Sequence, residues 1–123
     1  MEPLKLALLA AKALDNKKAL DIKLLHVEDL TILADYFVIA SGTSSTHVAS
    51  LAEEVDFQLS GAGIMPSRIE GAESRSWVLI DCGAVVVHIF YPEAREYYAL
   101  ERLWADAEPV PLNLEGITLP KLS

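Results

Sequence analysis

The stretch "DYFVIASGTSSTHV" at residues 35–48 changes character halfway. Tyr36, Phe37, Val38 and Ile39 are aromatic and β-branched, which predicts a strand running to Ser41. A Gly-Thr-Ser-Ser-Thr turn follows. Val48, Leu51, Ala52, Val55 and Leu59 then repeat on one face of a helix, with Gly61 and Gly63 as its stop. The turn itself is not a P-loop, because Gly42 is followed by Thr43, Ser44, Ser45, Thr46 and His47, with neither the second glycine nor the lysine that cradle phosphates. Its hydroxyl side chains suit capping of the free N–H groups at the helix start, which could also attract an anion weakly.

Outward from this stretch the same rules place the remaining elements. Leu4, Ala7, Leu8, Ala11 and Leu14 mark a first helix opened by Pro3 and ending near Asn16. Residues 19–27 read as a strand, 66–69 as a short edge strand beginning at Pro66, and 76–81 with 84–90 as a hairpin turning at Cys82 and Gly83. Pro92 and Glu93 open a last helix expected to reach Asp106, with Tyr97, Leu100, Leu103 and Trp104 as its apolar face. After Ala107 the composition shifts to "EPVPLNLEGITLP", with three prolines and no helical period. The expected organisation is one domain over residues 1–107 and a Pro-rich tail over 108–123, whose alternating Val110, Leu112 and Leu114 could extend along a groove or sheet edge.

The chain has 123 residues, 52% of them hydrophobic, which is enough to bury a core without disulfides or metals. The apolar runs at residues 6–11 and 36–40 fall far short of the ~20 residues that span a bilayer. No basic region followed by a long apolar stretch opens the chain, so no secretory signal is read, and the single cysteine, Cys82, suits a reducing compartment; the expected location is the cytoplasm. A net charge of -8 and a pI near 4.7 disfavour direct binding to nucleic acid. The same charge would speed encounter with a basic protein inside a nucleoprotein particle.

Chemical motifs are sparse. A nucleotidyltransferase site would need two carboxylates at alternate strand positions to hold metal ions, yet the later strands offer Asp81 alone. Asp35, Glu53, Glu54 and Asp56 read as loop and exposed-helix residues. His26, His47 and His88 form no metal-ligand spacing with Cys82. Cys82 and His88 are six extended residues apart, roughly 20 Å, and the acidic surroundings do not activate a thiol, so the cysteine reads as inert. No metal, cofactor or catalytic residue is expected, and the chain reads as a non-enzyme.

What remains is a surface. Trp77, Leu79 and Asp81 share one face of their strand while Val78 and Ile80 share the other. Two arrangements satisfy this pattern: a sheet covered on both sides, or one face packed on helices with Trp77 and Leu79 left for another protein. His88 and Phe90 share a face of the next strand, and the hairpin register decides whether they join Trp77.

The motifs "DYFVIASGTSSTHV", "IEG" and "SWVLIDCGAVVVHIFYPEAREYYALERLW" together closely resemble the ribosomal silencing factor, or Iojap-related, family, from the first helix to Trp104. Thr46 departs from the basic residue expected in the Gly-Thr-Ser segment, and the Pro-rich tail lies outside the shared motifs. The resemblance implies a single α/β domain, a mixed sheet flanked by helices, similar to nucleotidyltransferases without their catalytic acids. It also implies binding to the large ribosomal subunit through its fourteenth protein, a steric block to subunit joining, repression of translation when nutrients are scarce, and a related role in late large-subunit assembly. Under it Trp77 and Leu79 are the expected apolar anchors, Asp81 and Glu70 the expected contacts to a basic partner, and His88 and Phe90 further partner-binding positions carried by "VVVHIF". The alternatives are a homodimeric interaction module, which would self-associate without selecting large subunits, and a metal-dependent nucleotidyltransferase.

Overall fold

The computed structural model describes residues 1–121. Its elements in chain order are α1 (Pro3–Asn16), β1 (Leu20–His26), β2 (Tyr36–Ser41), α2 (Ser45–Gly61), β3 (Arg68–Glu70), β4 (Trp77–Asp81), β5 (Val85–Phe90), α3 (Pro92–Tyr98), α4 (Leu100–Leu103) and β6 (Glu108–Pro109). They build one six-stranded sheet of order β3-β4-β5-β2-β1-β6. Only β2 and β5 run parallel; the neighbouring pairs are antiparallel, so the sheet is mixed.

The parallel pair sits at the centre, and its strands are the most apolar in the chain. Five of the six residues of β2 and all six of β5 are buried, as expected where both sheet faces are covered. On one face Leu24, Val38, Ala40, Val78, Ile80, Val87 and Ile89 meet α1 and α2. The other face carries a smaller cluster in which Leu25, Phe37, Ile39, Val86 and Phe90 are covered by Leu100 and Trp104.

Four expectations need correction. The buried side of α1 is wider than a single stripe: Leu6, Leu9, Ala10 and Ala13 are inside while Leu4 is exposed, because sheet, α2 and C-terminal segment together enclose the helix. Glu54, expected on an exposed face, is buried and accepts hydrogen bonds from Asn16 Nδ2 (3.1 Å) and Gln58 Nε2 (3.0 Å). The edge strand covers Arg68–Glu70 rather than beginning at Pro66.

The largest correction concerns the last helix. Ala99 adopts a left-handed conformation (φ 47°, ψ 46°) and splits the expected helix into α3 and α4. Tyr97 and Leu103, placed by periodicity on a buried face, are 79% and 75% exposed, whereas Leu100 is buried. The break swings the chain so that Leu100 and Trp104 reach the sheet, with Trp104 edge-on to Phe37 at 5.3 Å. Burial of these two outweighs the ~1–2 kcal/mol that a left-handed alanine costs.

The segment after Ala107 joins the sheet and then crosses to its opposite side. Glu108 and Pro109 pair with His26 and Leu25 at the β1 edge, and Val110 N–H donates to the Leu24 carbonyl at 2.8 Å. Val110, Leu114, Ile117 and Leu119 then pack on the α1–α2 side, while Leu112 is more exposed. The Gln58 side chain holds the far end, donating to the Lys121 carbonyl (2.7 Å) and accepting from its N–H (2.9 Å).

A half-open aromatic face on the sheet

The hairpin register brings the two sets of candidate residues together. Trp77 stands opposite Phe90, Leu79 opposite His88 and Asp81 opposite Val86. In β3, Glu70 lies opposite Leu79 and Arg68 opposite Asp81. All therefore project from the same side of the sheet, away from α1 and α2. The α3–α4 segment covers this side over the central strands and reaches β4 through the contact of Tyr98 with Trp77, while the β4–β3 part is otherwise half open: β4 alternates strictly between buried and half-exposed residues.

Trp77 is neither free nor fully buried. Its ring stacks on Phe90 at 5.1 Å and meets Tyr98 at 4.7 Å, while the indole N–H donates to His88 Nδ1 at 3.2 Å. That bond fixes the neutral His88 tautomer with its proton on Nε2. Burial lowers the His88 pKa to about 4, so the ring is uncharged at neutral pH. Nε2 is buried without a hydrogen-bond partner, and Phe37 lies edge-on to the ring at 4.9 Å. His88 and Phe90 belong to this face but not to its surface: Phe90 is fully buried, and both act as the floor on which Trp77 rests.

Leu79 is half-buried beside them. The acidic candidates share a cation absent from the sequence expectations: Arg68 Nη2 lies 3.5 Å from the Asp81 carboxylate and Arg68 Nε 3.8 Å from that of Glu70. Asp81 also accepts the Gly83 N–H at 2.9 Å, tying its carboxylate to the hairpin turn. Tyr98, 52% exposed, and Tyr97 extend the aromatic surface beyond Trp77. The signal for them was the "YY" doublet, since adjacent helical residues lie about 100° apart and cannot both face the sheet.

The Gly-Thr-Ser turn proves to be a built corner. Ser44 caps α2 by accepting the His47 N–H at 3.1 Å. Thr43 N–H donates to His47 Nδ1 at 2.8 Å, and His47 Nε2 in turn reaches the Lys17 carbonyl at 2.8 Å. A Cβ at Gly42 would lie 2.9 Å from the Val48 nitrogen, so only glycine allows this close approach of strand end and helix. Cys82 is half-buried, and burial with the neighbouring Asp81 charge pushes its thiol up to about 11. Among the described residues no three His, Cys, Asp or Glu side chains converge as metal ligands, and no helix is long and apolar enough to cross a membrane.

Fold and face together define a small α/β domain with a mixed sheet, one side sealed by helices and the other presenting a partly covered aromatic surface. Residues 1–121 match the family model described as "Ribosomal silencing factor during starvation". The ribosomal silencing factor of Bacillus subtilis is 43% identical over 85% of this chain and 89% of its own. A Chromobacterium violaceum protein of known crystal structure is 40% identical and superposes with a TM-score of 0.84, covering 89% of this chain and 92% of that one. A more distant relative, the mouse protein named for mitochondrial assembly of the ribosomal large subunit, is 35% identical over 74% of this chain and 41% of its own. The chain belongs to the ribosomal silencing factor family. The matched region includes the segment after Ala107, which the motif series leaves out.

Proposed function

We propose that this chain binds the large ribosomal subunit through its fourteenth protein, blocks joining of the small subunit sterically, and so represses translation when nutrients are limiting. Family membership supplies the partner class; the half-open face around Trp77, Leu79 and Tyr98 is the observation that carries the reading to particular residues. Aromatic residues with one covered and one exposed side are favoured interface anchors, because little side-chain freedom remains to be lost on binding. Glu70 and Asp81, at the rim, suit a basic partner, and the overall charge of -8 favours approach to one. The mouse relative's name supports a second role of the same kind, assistance in large-subunit assembly. A catalytic role is not part of the proposal: Asp81 is held by Arg68 and the Gly83 N–H and has no second carboxylate at the alternate position of its strand.

Gradient sedimentation with purified subunits tests this directly. The protein is expected to migrate with large subunits, not small ones, and to reduce their joining. Unchanged joining at saturating protein would remove the steric block; absence of large-subunit binding would remove the partner.

A further inference from the structure

The chain leaves β2 toward α2 on one side of the sheet and leaves β5 toward α3 on the other. Between the carboxyl ends of adjacent parallel strands, such divergence opens a crevice, the position where open α/β sheets hold small ligands. Here the crevice is a cavity of about 440 Å³ bounded by Ser41 at the end of β2, Pro92 at the start of α3, Leu20, Arg95 and Ala99. That volume suits a small metabolite.

Arg95 is the feature that gives the cavity chemistry. Its side chain is 11% exposed and fixed on two sides: Nε donates to Glu101 Oε1 at 2.7 Å and Nη1 to Ser41 Oγ at 2.9 Å. The third nitrogen, Nη2, is buried with no partner. A buried guanidinium nitrogen without an acceptor is costly, and an oxyanion is its natural complement. Glu101 stays ionised because the bond from Arg95 holds its carboxyl below the usual range, so the clamp on Nε persists at neutral pH. Arg102, exposed at the same cavity, offers a second cation. Two of the four non-glycine residues with positive φ among the described residues, Asp21 (52°) and Ala99 (47°), line this cavity, and the β1–β2 pairing shifts register between Leu20 and Lys23 beside it. Bulges and left-handed residues collect at ligand sites, where they aim groups that regular strands and helices would not.

We infer that this crevice binds a small metabolite-sized oxyanion, a carboxylate or phosphate monoester, between Arg95 and Arg102, with hydrogen-bond donors of the ligand facing Asp21 and Glu96. The two rim carboxylates disfavour polyanions and favour a ligand carrying one anionic group beside hydroxyl or amino groups. Because Nη2 is closed from solvent, binding requires a local shift around Arg95. This site is separate from the Trp77 face, and its test does not depend on ribosome binding.

Amide chemical shifts of the intact chain would be followed during titration with inorganic phosphate, adenosine monophosphate and serine in parallel. Saturable shifts at Ser41, Arg95 and Ala99 are expected with at least one probe; phosphate-bearing probes against serine separate the two sources of the anion. Arg102→Gln, which alters only an exposed side chain, should weaken binding about tenfold, near 1.4 kcal/mol. Arg95→Lys keeps the charge but loses the fork and should abolish it, with thermal melts reporting whether the fold survives. Should Arg95→Lys unfold, Arg102→Gln alone decides. No saturable shift at millimolar concentrations of all three probes, or equal binding by Arg102→Gln, would overturn the site.

Discussion

His88 couples burial, protonation and surface shape in one side chain. Its folded pKa, lowered by burial to about 4, lies below the ordinary value of 6.5, so the unfolded chain takes up a proton first as pH falls. Stability contributed by neutral His88 is complete above pH 6.5 and declines toward pH 4, by up to about 3 kcal/mol if the whole shift counts. Urea unfolding at pH 7 and pH 4.5 should therefore show a larger loss in the parent than in His88→Gln; equal slopes would mean that acid sensitivity lies in other groups. The same contact sets the outcome of changing Trp77. Trp77→Phe retains stacking on Phe90 but strips His88 Nδ1 of its donor, at a cost of about 1–3 kcal/mol. Tyr98→Ala removes an exposed ring with less effect on the fold. If the proposed docking face is right, Tyr98→Ala weakens large-subunit binding, by at least about 2 kcal/mol if it is a central anchor, while its melting temperature stays near the parent's. Normal binding by a folded Tyr98→Ala would confine the interface to other parts of the face.

Elements that follow one period were legible in the sequence, and those set by a single backbone turn were not. β2, α2 and the hairpin strands were read within two or three residues because apolar alternation, helical spacing and the Gly-Thr-Ser corner agree with one another. The α3–α4 break was invisible: alanine is a strong helix former, and nothing in "EYYALERLW" marks residue 99 as left-handed. For the same reason Tyr97 and Leu103 were assigned to the wrong side, and Tyr98 was missed. Trp77, Leu79 and Asp81 were correctly placed on a common face from alternation alone, but whether Phe90 and His88 joined them depended on hairpin register. The glycine of "IEG" shows how much one turn can carry. Gly71 has φ 81°, and a Cβ there would collide with the Trp77 carbonyl. Gly71→Ala should thus destabilise by more than about 1 kcal/mol and perturb β4 at Trp77, visible as shifted indole fluorescence. A melt and spectrum matching the parent would show that the β3–β4 connection tolerates a different path.

On the scale of the whole molecule, the two sides of the sheet are covered differently. Residues 108–121 leave the β1 edge and cross the α1–α2 side, opposite Trp77 and Leu79, so they hold the helix layer without contributing to the proposed docking face. Their hold combines partly buried Val110, Leu114, Ile117 and Leu119 with the paired hydrogen bonds between Gln58 and the Lys121 main chain. Gln58 is fully buried, and its amide also donates to Glu54, which receives Asn16 as well. Gln58→Ala leaves the Lys121 main chain and the Glu54 carboxylate short of partners, a change expected to cost about 2–3 kcal/mol. Its melting temperature should fall by several degrees, yet large-subunit sedimentation at low temperature should match the parent, because the lost contacts lie behind the sheet. An unchanged melting temperature would mean that the C-terminal segment does not brace the helices. Lost sedimentation in a protein that is still folded would mean that this segment, rather than the Trp77 side, meets the ribosome.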